Sequence, residues 1–382
     1  MTIKFSIPYL VGKELENVRL CLEELHLSGD GPFTRRCHAW LQHEFGASAL
    51  LTHSCTAALE MAAILAKLEP DDEVIMPSFT FVSTANAFVL RGARPVFIDI
   101  RPDTLNIDER KLEEALSSRT KAIAVVHYAG VACEMDTILR FANKHGLMVI
   151  EDAAQALRCT YKNRPLGTFG ATAALSFHET KNVVSGEGGA LLINDPSLVE
   201  RAHIIREKGT NRTQFLRRKV AKYEWLDVGS SYLPSDLIAA VLLAQLEEID
   251  AIIERRRTAW EQYHEALLPL EAKGLLRRPF VPADAVHNGH IYYVILPEAA
   301  VVQRLVQGLR AQHIGSTTHY VPLHSAPAGQ RFGRAVGSMS VTDQVAARLL
   351  RLPLHAGIGE RDINLVIDTI TTVLTAAQGL AN

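Results

Sequence analysis

The sequence contains little cysteine and no excess charge of either sign. Its five cysteines include no C-x-x-C pair, so we expect neither a disulfide framework nor a zinc ribbon, and a reducing cytoplasm is the simplest compartment. Forty Lys and Arg residues against 42 Asp and Glu residues give a net charge of −2. This balance argues against nucleic-acid binding and against attachment to a membrane through a polybasic surface.

Long hydrophobic runs and metal-binding motifs are also missing. The N-terminal segment MTIKFSIPYLVGKELENV holds no apolar core of signal-peptide length. The most apolar later stretch, residues 237–246, is about half as long as a membrane span requires. None of the 15 histidines belongs to an H-E-x-x-H motif, so we expect no metal site. These absences predict a cytoplasmic protein that neither spans a membrane nor binds a metal.

What the sequence does contain is a regular alternation of apolar runs and helical segments. Seven short apolar runs occur between residues 49 and 193, and segments with helical spacing or composition separate most of them. This rhythm predicts βαβ units and a mostly parallel, doubly wound sheet. Further along, a polar, basic loop at 209–231 precedes a long helix predicted over 234–263, with Pro234 as its first residue. A smaller α/β domain is predicted after it.

Polar residues follow three of the predicted strands, at the edge where parallel α/β sheets bind ligands. Cys55 and Thr56 open a helix after the first strand, and its free N–H groups suit a phosphate, although Ser54 or Thr56 acting only as a helix cap is the alternative. Asp152 ends the fifth strand and either faces a ligand or caps the next helix. Lys181 follows the strand at 173–176, where a single lysine is most often a solvated surface charge.

The combination of these three features is more specific than any one of them. Pyridoxal 5′-phosphate (PLP) requires an anchor for its phosphate, a carboxylate for its ring nitrogen and an amine for its aldehyde. The helix start at Cys55 and Thr56, the acid Asp152 and the amine of Lys181 supply one group of each kind at the strand ends of one sheet. The sequence therefore indicates a PLP site.

At this point the sequence resembles a known family, the DegT/StrS sugar aminotransferases, which have the aspartate aminotransferase fold (PLP fold type I). The resemblance extends from about residue 7 to the C-terminus. It implies a large PLP-binding domain, residues 1–250, with a mostly parallel seven-stranded sheet and helices on both faces. It also implies a smaller C-terminal α/β domain, residues 251–382.

The resemblance assigns roles to individual residues. Lys181 in SFHETKN matches the lysine that forms a Schiff base with PLP, and Asp152 and Gln155 in EDAAQ match the residues that contact the pyridine nitrogen and the ring hydroxyl. Ser231, in GSSYLPSD, stands where the family commonly has an asparagine that reaches the neighbouring subunit's cofactor. The other implied cofactor contacts are Cys55 and Thr56, where the family usually has Gly-Thr, Phe81 stacked on the ring, and Ser176 at the phosphate.

Substrates and assembly are implied in the same way. Lys181 is retained, whereas PLP-dependent sugar dehydratases related to this family have histidine there, so transamination is expected. The amino donor would be L-glutamate, the acceptor a dTDP-linked 4-keto-6-deoxy sugar, and the assembly a homodimer with shared active sites. Arg212, Arg217, Arg218 and Lys219 form either a diphosphate-binding patch or a solvated basic loop. Candidate substrate-binding residues are Ser28, Gly29, Asp30, Tyr128, Arg212, Tyr320 and His324, the last of which is otherwise a core histidine.

Three alternatives remain open from the sequence. The product could carry its C4 amine in the gluco configuration, or the acceptor could be another nucleotide-linked keto sugar. A catalytically idle PLP-fold sensor is a second alternative, against which the intact Lys181, Asp152 and Ser176 count. The third, an NAD-linked enzyme, would need G-x-G-x-x-G after the first strand, where this chain has HSCTAALE.

Overall fold

The computed structural model describes residues 2–216 and 218–376. Arg217, one of the basic residues predicted to hold a diphosphate, and residues 377–382 of the predicted second domain lie outside the described residues.

Strands and helices alternate along the described chain as the apolar runs predict. The strands are β1 (Ser48–Thr52), β2 (Glu73–Pro77), β3 (Arg94–Ile98), β4 (Thr120–Val126), β5 (Met148–Asp152), β6 (Thr160–Tyr161), β7 (Arg164–Pro165), β8 (Thr172–Ser176), β9 (Gly189–Ile193), β10 (Ala285–Val286), β11 (Tyr292–Ile295), β12 (Thr317–Thr318), β13 (Arg334–Ala335) and β14 (Leu349–Leu352). The helices are α1 (Glu14–Glu23), α2 (Pro32–Phe45), α3 (Cys55–Leu65), α4 (Val82–Val89), α5 (Leu112–Ala115), α6 (Met135–His145), α7 (Val199–Arg206), α8 (Arg212–Leu216), α9 (Asp236–Glu247), α10 (Ile249–Ala266), α11 (Leu268–Ala272), α12 (Ala299–Ala311), α13 (Pro327–Phe332), α14 (Ser340–Arg348) and α15 (Glu360–Ala376).

The central sheet is mostly parallel. Within the described residues its strand order is β1-β9-β8-β5-β4-β2-β3-β13. Only β9 runs antiparallel to its neighbours, β1 and β8, among these strand pairs, and the remaining pairs are parallel. The seven strands expected for the large domain are all present, so the predicted fold class is confirmed. The two-residue strand β13 from the C-terminal part adds an eighth strand at the edge, which the sequence analysis did not predict.

Helices cover both faces of this sheet, because its strands are apolar on both sides. On β4, Ile123 packs into one core with residues of α2, α6 and α9, whereas the next residue, Ala124, packs into a second core with residues of α3, α4 and α7. The carboxyl ends of the parallel strands thus remain uncovered at one edge of the sheet, where the loops after β5 and β8 begin.

The C-terminal part is built around a smaller antiparallel sheet of β11, β14 and β12. Its core contains side chains of α10, α12 and α15, together with Ile3 from the N-terminal segment. Helix α10 contributes Ile252 to a core of the large sheet and Trp260 to the core of the small one, so it connects the two. The division of the chain at residue 250 stays a prediction.

The long helix predicted over 234–263 differs from the observed structure in two ways. It begins at Asp236, because Ser235 is its N-cap and accepts a hydrogen bond from the N–H of Ile238; Pro234 therefore precedes the helix and is not its first residue. It is also interrupted at Glu248, whose φ of −112° and ψ of 18° separate α9 from α10.

Candidate active site

A cavity of about 300 Å³ opens at the carboxyl ends of β5 and β8. It brings together seven of the eight residues assigned to the cofactor by resemblance, although these residues are spread over more than 120 positions of the chain. They are Cys55, Thr56, Phe81, Asp152, Gln155, Ser176 and Lys181. The sequence-based grouping of strand-end residues therefore corresponds to one site in space, as expected for a parallel α/β sheet.

One wall of the cavity is the N-terminus of α3. Ser54 caps this helix by accepting a hydrogen bond from the N–H of Ala57 at 3.1 Å, so the capping interpretation is correct for Ser54. The backbone N–H groups of Cys55 and Thr56 have no acceptor among the described residues. These two unpaired donors at the positive end of a helix dipole suit a phosphate group.

Two glycines lie beside this helix end, and one of them, Gly189, keeps it open. A Cβ on Gly189, the first residue of β9, would lie 2.4 Å from the backbone nitrogen of Cys55. A Cβ on Gly188 would lie 2.5 Å from the hydroxyl of Ser185. Any side chain at these positions would collide with its surroundings, and one at Gly189 would collide at the unpaired N–H groups themselves. Gly189 therefore leaves room for an anion at the N-terminus of α3.

Asp152 lies at the end of β5 with 7% of its surface exposed. Its Oδ2 accepts a hydrogen bond from the hydroxyl of Thr84 at 2.6 Å, and its Oδ1 accepts one from the N–H of Ala154 at 3.1 Å. The hydroxyl of Thr80 is 3.0 Å from that of Thr84. These bonds fix the Asp152 carboxylate in the cavity wall. The bond from the N–H of Ala154 resembles a helix-capping bond.

The adjacent acid, Glu151, points to the opposite side of the sheet. Its carboxylate contacts His127 Nε2 at 2.9 Å and accepts hydrogen bonds from backbone N–H groups of the loop that follows β7. Because successive strand residues alternate between faces, this is the arrangement that the sequence predicts. Asp152 is the carboxylate of this pair that lines the cavity.

Lys181 follows β8 and is half-buried. Its Nζ forms no hydrogen bond or ion pair with any residue that the structure describes. Nearby, burial raises the pKa of the Cys55 thiol well above its usual value, and the charge of Asp152 adds to this effect. Cys55 is therefore a neutral thiol, and the amine of Lys181 is the nucleophile that this cavity offers.

Gln155 is fixed at the same cavity by its surroundings. Its Oε1 accepts the N–H of Ala129 at 2.7 Å, and its backbone carbonyl accepts a hydrogen bond from the side chain of Asn288 at 3.0 Å. Ala129 has a φ of +56°, which is uncommon for a residue with a Cβ. With Oε1 engaged in this way, the Nε2 group is the part of Gln155 that remains to donate to a ligand.

The predicted substrate-binding residues are not brought together. Tyr320 lines the cavity, with its ring centroid 5.2 Å from that of Phe81. Tyr128 is buried behind it. His324 contacts the hydroxyl of Ser78 at 2.7 Å and Asp343 at 3.3 Å, outside the cavity. It therefore joins the C-terminal part to the end of β2, and its assignment to the substrate stays a prediction.

The remaining candidates do not line the cavity. Asp30 forms an ion pair with the buried Arg206 at 2.8 Å, and the exposed Ser28 and the half-buried Gly29 precede it. Arg212 is paired with Glu207 at 3.0 Å. Ser231 is exposed, forms a β-bridge with Glu207, and does not line the cavity of its own chain. Their assignment to substrate or cofactor stays a prediction.

Sequence reasoning missed two groups beside this cavity. The first is Thr84, which the sequence places one helical turn after Phe81 in PSFTFVSTANA; this spacing on α4 is the signal that could have identified it. The second is Arg351 on β14 together with His319, which directly follows β12. A lone arginine in the apolar run LLRLPL was the available signal, because such a residue is rarely buried without a reason.

Taken together, the mostly parallel sheet and the site define a class of protein. A helix end with unpaired N–H groups, a buried carboxylate and a free amine fit the phosphate, ring nitrogen and aldehyde of PLP. Cys55, Thr56 and Ser176 would hold the phosphate, Asp152 and Gln155 the ring, and Lys181 the aldehyde carbon. The architecture and the donor set are those of a PLP-dependent enzyme of fold type I.

Comparison with known proteins gives the family. Residues 8–371 match the model of the DegT/DnrJ/EryC1/StrS aminotransferase family. The chain is 35% identical to the spore coat polysaccharide biosynthesis protein SpsC of Bacillus subtilis and 33% identical to GDP-perosamine synthase of Caulobacter vibrioides, with 98% and 97% of this chain and 98% of each relative covered. The crystal structure of the aminotransferase TlmJ from Streptoalloteichus hindustanus superposes with a TM-score of 0.90 at 31% identity, covering 99% of this chain and 100% of TlmJ.

The chain therefore belongs to the DegT/DnrJ/EryC1/StrS aminotransferase family. It is a PLP-dependent sugar aminotransferase, and both the predicted cofactor and the family resemblance are confirmed. Within the described residues, none of the helices combines the length and the apolar character that crossing a membrane would demand. No group of three His, Cys, Asp or Glu side chains in that part of the chain could hold a metal ion.

Proposed function

We propose that the protein transfers an amino group from L-glutamate to C4 of dTDP-4-dehydro-6-deoxy-D-glucose. The products would be dTDP-4-amino-4,6-dideoxy-D-galactose and 2-oxoglutarate. Four segments support this choice, because they are more similar to the dTDP-4-amino-4,6-dideoxygalactose transaminase of enterobacterial common antigen biosynthesis than to the family at large. They are SGDGPFTRRC, VLRGA, VHYAGVACEMDT and REKGTNR.

The observation that carries the proposal is the free amine of Lys181 in one cavity with Asp152 and the N-terminus of α3. A protein that only bound a ligand would have no need of an unpaired lysine there. The relative GDP-perosamine synthase is named for making a nucleotide-linked amino sugar, which supports a nucleotide-linked sugar as the acceptor.

The residues of the cavity have different roles in transamination. PLP, when bound, supplies an electron-withdrawing ring that stabilises negative charge on the amino donor's Cα. Asp152 keeps a proton on the ring nitrogen: two unit charges about 4 Å apart interact by about 4 kcal/mol at an effective dielectric near 20, or about three pKa units. Lys181 Nζ moves the proton that leaves Cα, acting as the general base and then as the general acid.

A homodimer with shared active sites is part of the proposal. Ser231 lies on the surface, outside the cavity of its own chain, at the end of a segment that exposes Tyr223, Trp225 and Leu226. Large apolar side chains exposed together on one segment are typical of a protein contact. We propose that this segment contacts a second copy of the chain, places Ser231 at the neighbouring cofactor, and that the enzyme acts in the cytoplasm.

The test is to incubate the purified protein with PLP, L-glutamate and dTDP-4-keto-6-deoxyglucose, and to determine the product's configuration at C4 from its proton couplings. Small couplings at H4 mean an axial amine and support the galacto product. Large couplings mean an equatorial amine and support the gluco alternative. A yellow protein whose spectrum responds to amines, but which aminates no sugar, would support the idle sensor instead.

A further inference from the structure

A second cavity, of about 410 Å³, lies beside the first on the side of the small sheet. The two cavities share Gln155, Thr180, Lys181 and Tyr320 as lining residues. The second one is otherwise lined by C-terminal residues, among them Arg351 of β14, and by the N-terminal residues 5 and 6. A ligand in it is therefore within reach of the amine of Lys181, on a different side from the anion site at α3.

The second cavity is rich in positive charge and contains no acidic residue in its lining. Arg351 and Arg256 border it and are 7% and 4% exposed. Neither guanidinium forms an ion pair with an Asp or Glu side chain that the structure describes. Buried charges in proteins are normally paired. We therefore expect an anionic ligand to bind next to these two unpaired guanidinium groups.

The two arginines differ in what they have left to donate. Arg256 donates through Nε to the carbonyl of Gly289 at 3.1 Å, and through Nη2 to two further backbone carbonyls. Because its partners are backbone carbonyls of separate segments, Arg256 stabilises the fold. Arg351 donates through Nη2 to His319 Nδ1 at 2.7 Å and to the hydroxyl of Tyr128 at 3.4 Å, while its Nε has no partner. Its guanidinium lies 5.0 Å from the ring centroid of Tyr320, which helps to fix its orientation.

His319 adds a second unpaired donor. Because its Nδ1 accepts the bond from Arg351, its Nε2 carries the proton, and this buried nitrogen has no partner. Burial and the neighbouring Arg351 lower the pKa of His319 to about 2, so the ring is neutral. It is stacked on Phe79 with 3.6 Å between the ring centroids. The wall formed by Arg351 and His319 thus presents donors in a fixed arrangement.

We propose that Arg351 binds a carboxylate of the amino donor, with His319 Nε2 as an accessory hydrogen-bond donor. The planar fork of an arginine matches a carboxylate in two parallel bonds. The amino donor's α-carboxylate is bonded directly to the Cα from which Lys181 removes a proton, so both groups must reach the same small volume. The sugar's diphosphate is attached across the hexose ring from its reacting C4, which places it further from Lys181. The inference deepens the proposed function and rests on it.

The experiment measures the two half-reactions of the Arg351→Gln variant separately. Enzyme loaded with PLP is mixed with L-glutamate, and enzyme loaded with pyridoxamine 5′-phosphate is mixed with dTDP-4-keto-6-deoxyglucose, both followed by absorbance. We expect the apparent Kd for L-glutamate to rise roughly 10- to 150-fold, the loss typical of a charge-assisted hydrogen-bonding partner. The sugar half-reaction should stay within about twofold of the wild type. An impaired sugar half-reaction with an unchanged Kd for L-glutamate would overturn the inference and assign Arg351 to the diphosphate.

A binding measurement and two further variants complete the test. Glutarate, an unreactive dicarboxylate, is titrated calorimetrically into the PLP-loaded wild type and Arg351→Gln; equal affinities would refute the proposal. Arg348→Gln makes the same change at a half-buried arginine that lies three positions away and does not line the second cavity, and it should change neither half-reaction. If Arg351→Gln does not fold, Arg351→Lys keeps the charge without the fork, and unweakened glutamate binding by it would refute the proposal. A wild type that reacts with glutamate but aminates another sugar contradicts only the proposed acceptor.

Discussion

Asp152→Asn removes one negative charge from the active-site cavity while keeping the size of the side chain. The hydrogen bond from Ala154 can persist at the amide oxygen, and Thr84, whose hydroxyl both donates and accepts, can turn to accept from the amide nitrogen. The structural cost is therefore small. The electrostatic loss is about 4 kcal/mol for a pair of charges about 4 Å apart at an effective dielectric near 20, which corresponds to a roughly thousandfold slower proton transfer.

The assay is single-turnover absorbance with L-glutamate, together with a titration of PLP binding. We expect PLP to stay bound, because the phosphate site at α3 is untouched, while the rate constant falls by about three orders of magnitude. Glu151→Gln is the matched control, since it neutralises the neighbouring buried carboxylate on the other face of the sheet. That variant should lower the melting temperature and leave the rate nearly unchanged. Near wild-type turnover in Asp152→Asn would refute the role given to this acid.

Three further predictions follow from single contacts. Lys181→Ala should abolish turnover and the visible absorbance that its bond with PLP gives; persistence of either contradicts its role. Thr84→Val removes the hydroxyl that donates to Asp152 at 2.6 Å, and should slow the glutamate half-reaction by about 10- to 150-fold with PLP still bound; an unchanged rate means that Thr84 does not orient the acid. Hydrogen bonding from Arg334 lowers the pKa of the buried Glu73 to about 2, so its stabilising contribution is complete above about pH 4.5 and is lost as the pH falls towards 2. Melting curves of Glu73→Gln should accordingly differ from wild type at pH 7 and converge with it near pH 2.

The grouping of Asp152 and Lys181 in one cavity could be predicted from the sequence because strand ends are local features. Asp152 ends one apolar strand and Lys181 lies on the loop that follows another, and the rule that parallel strands present their carboxyl ends at one edge brings them together without any knowledge of packing. The contacts assigned to Gln155, Phe81 and Ser176 came from the family resemblance, and they stay predictions.

Residues whose role depends on how distant elements meet could not be predicted. His324 was a candidate either for substrate binding or for a core position, and its partners Ser78 and Asp343 come from separate parts of the chain. Arg351 contributes to the second cavity because β14 pairs with β12 in the small sheet, next to the loop that carries Lys181. Neither arrangement is encoded in a short motif, since each follows from the docking of the small sheet against the large one.

Helix α10 joins the core of the large sheet to that of the small one, and the two cavities meet at the same boundary. The seven residues in the cavity that are predicted to contact the cofactor all belong to the larger side, whereas Arg351 and His319 belong to the smaller. An amino donor that contacts the larger side near Lys181 and the smaller side at Arg351 would therefore restrict the motion of one side relative to the other. Binding of PLP alone should make the larger side more rigid. Binding of the amino donor should then make the smaller side more rigid as well.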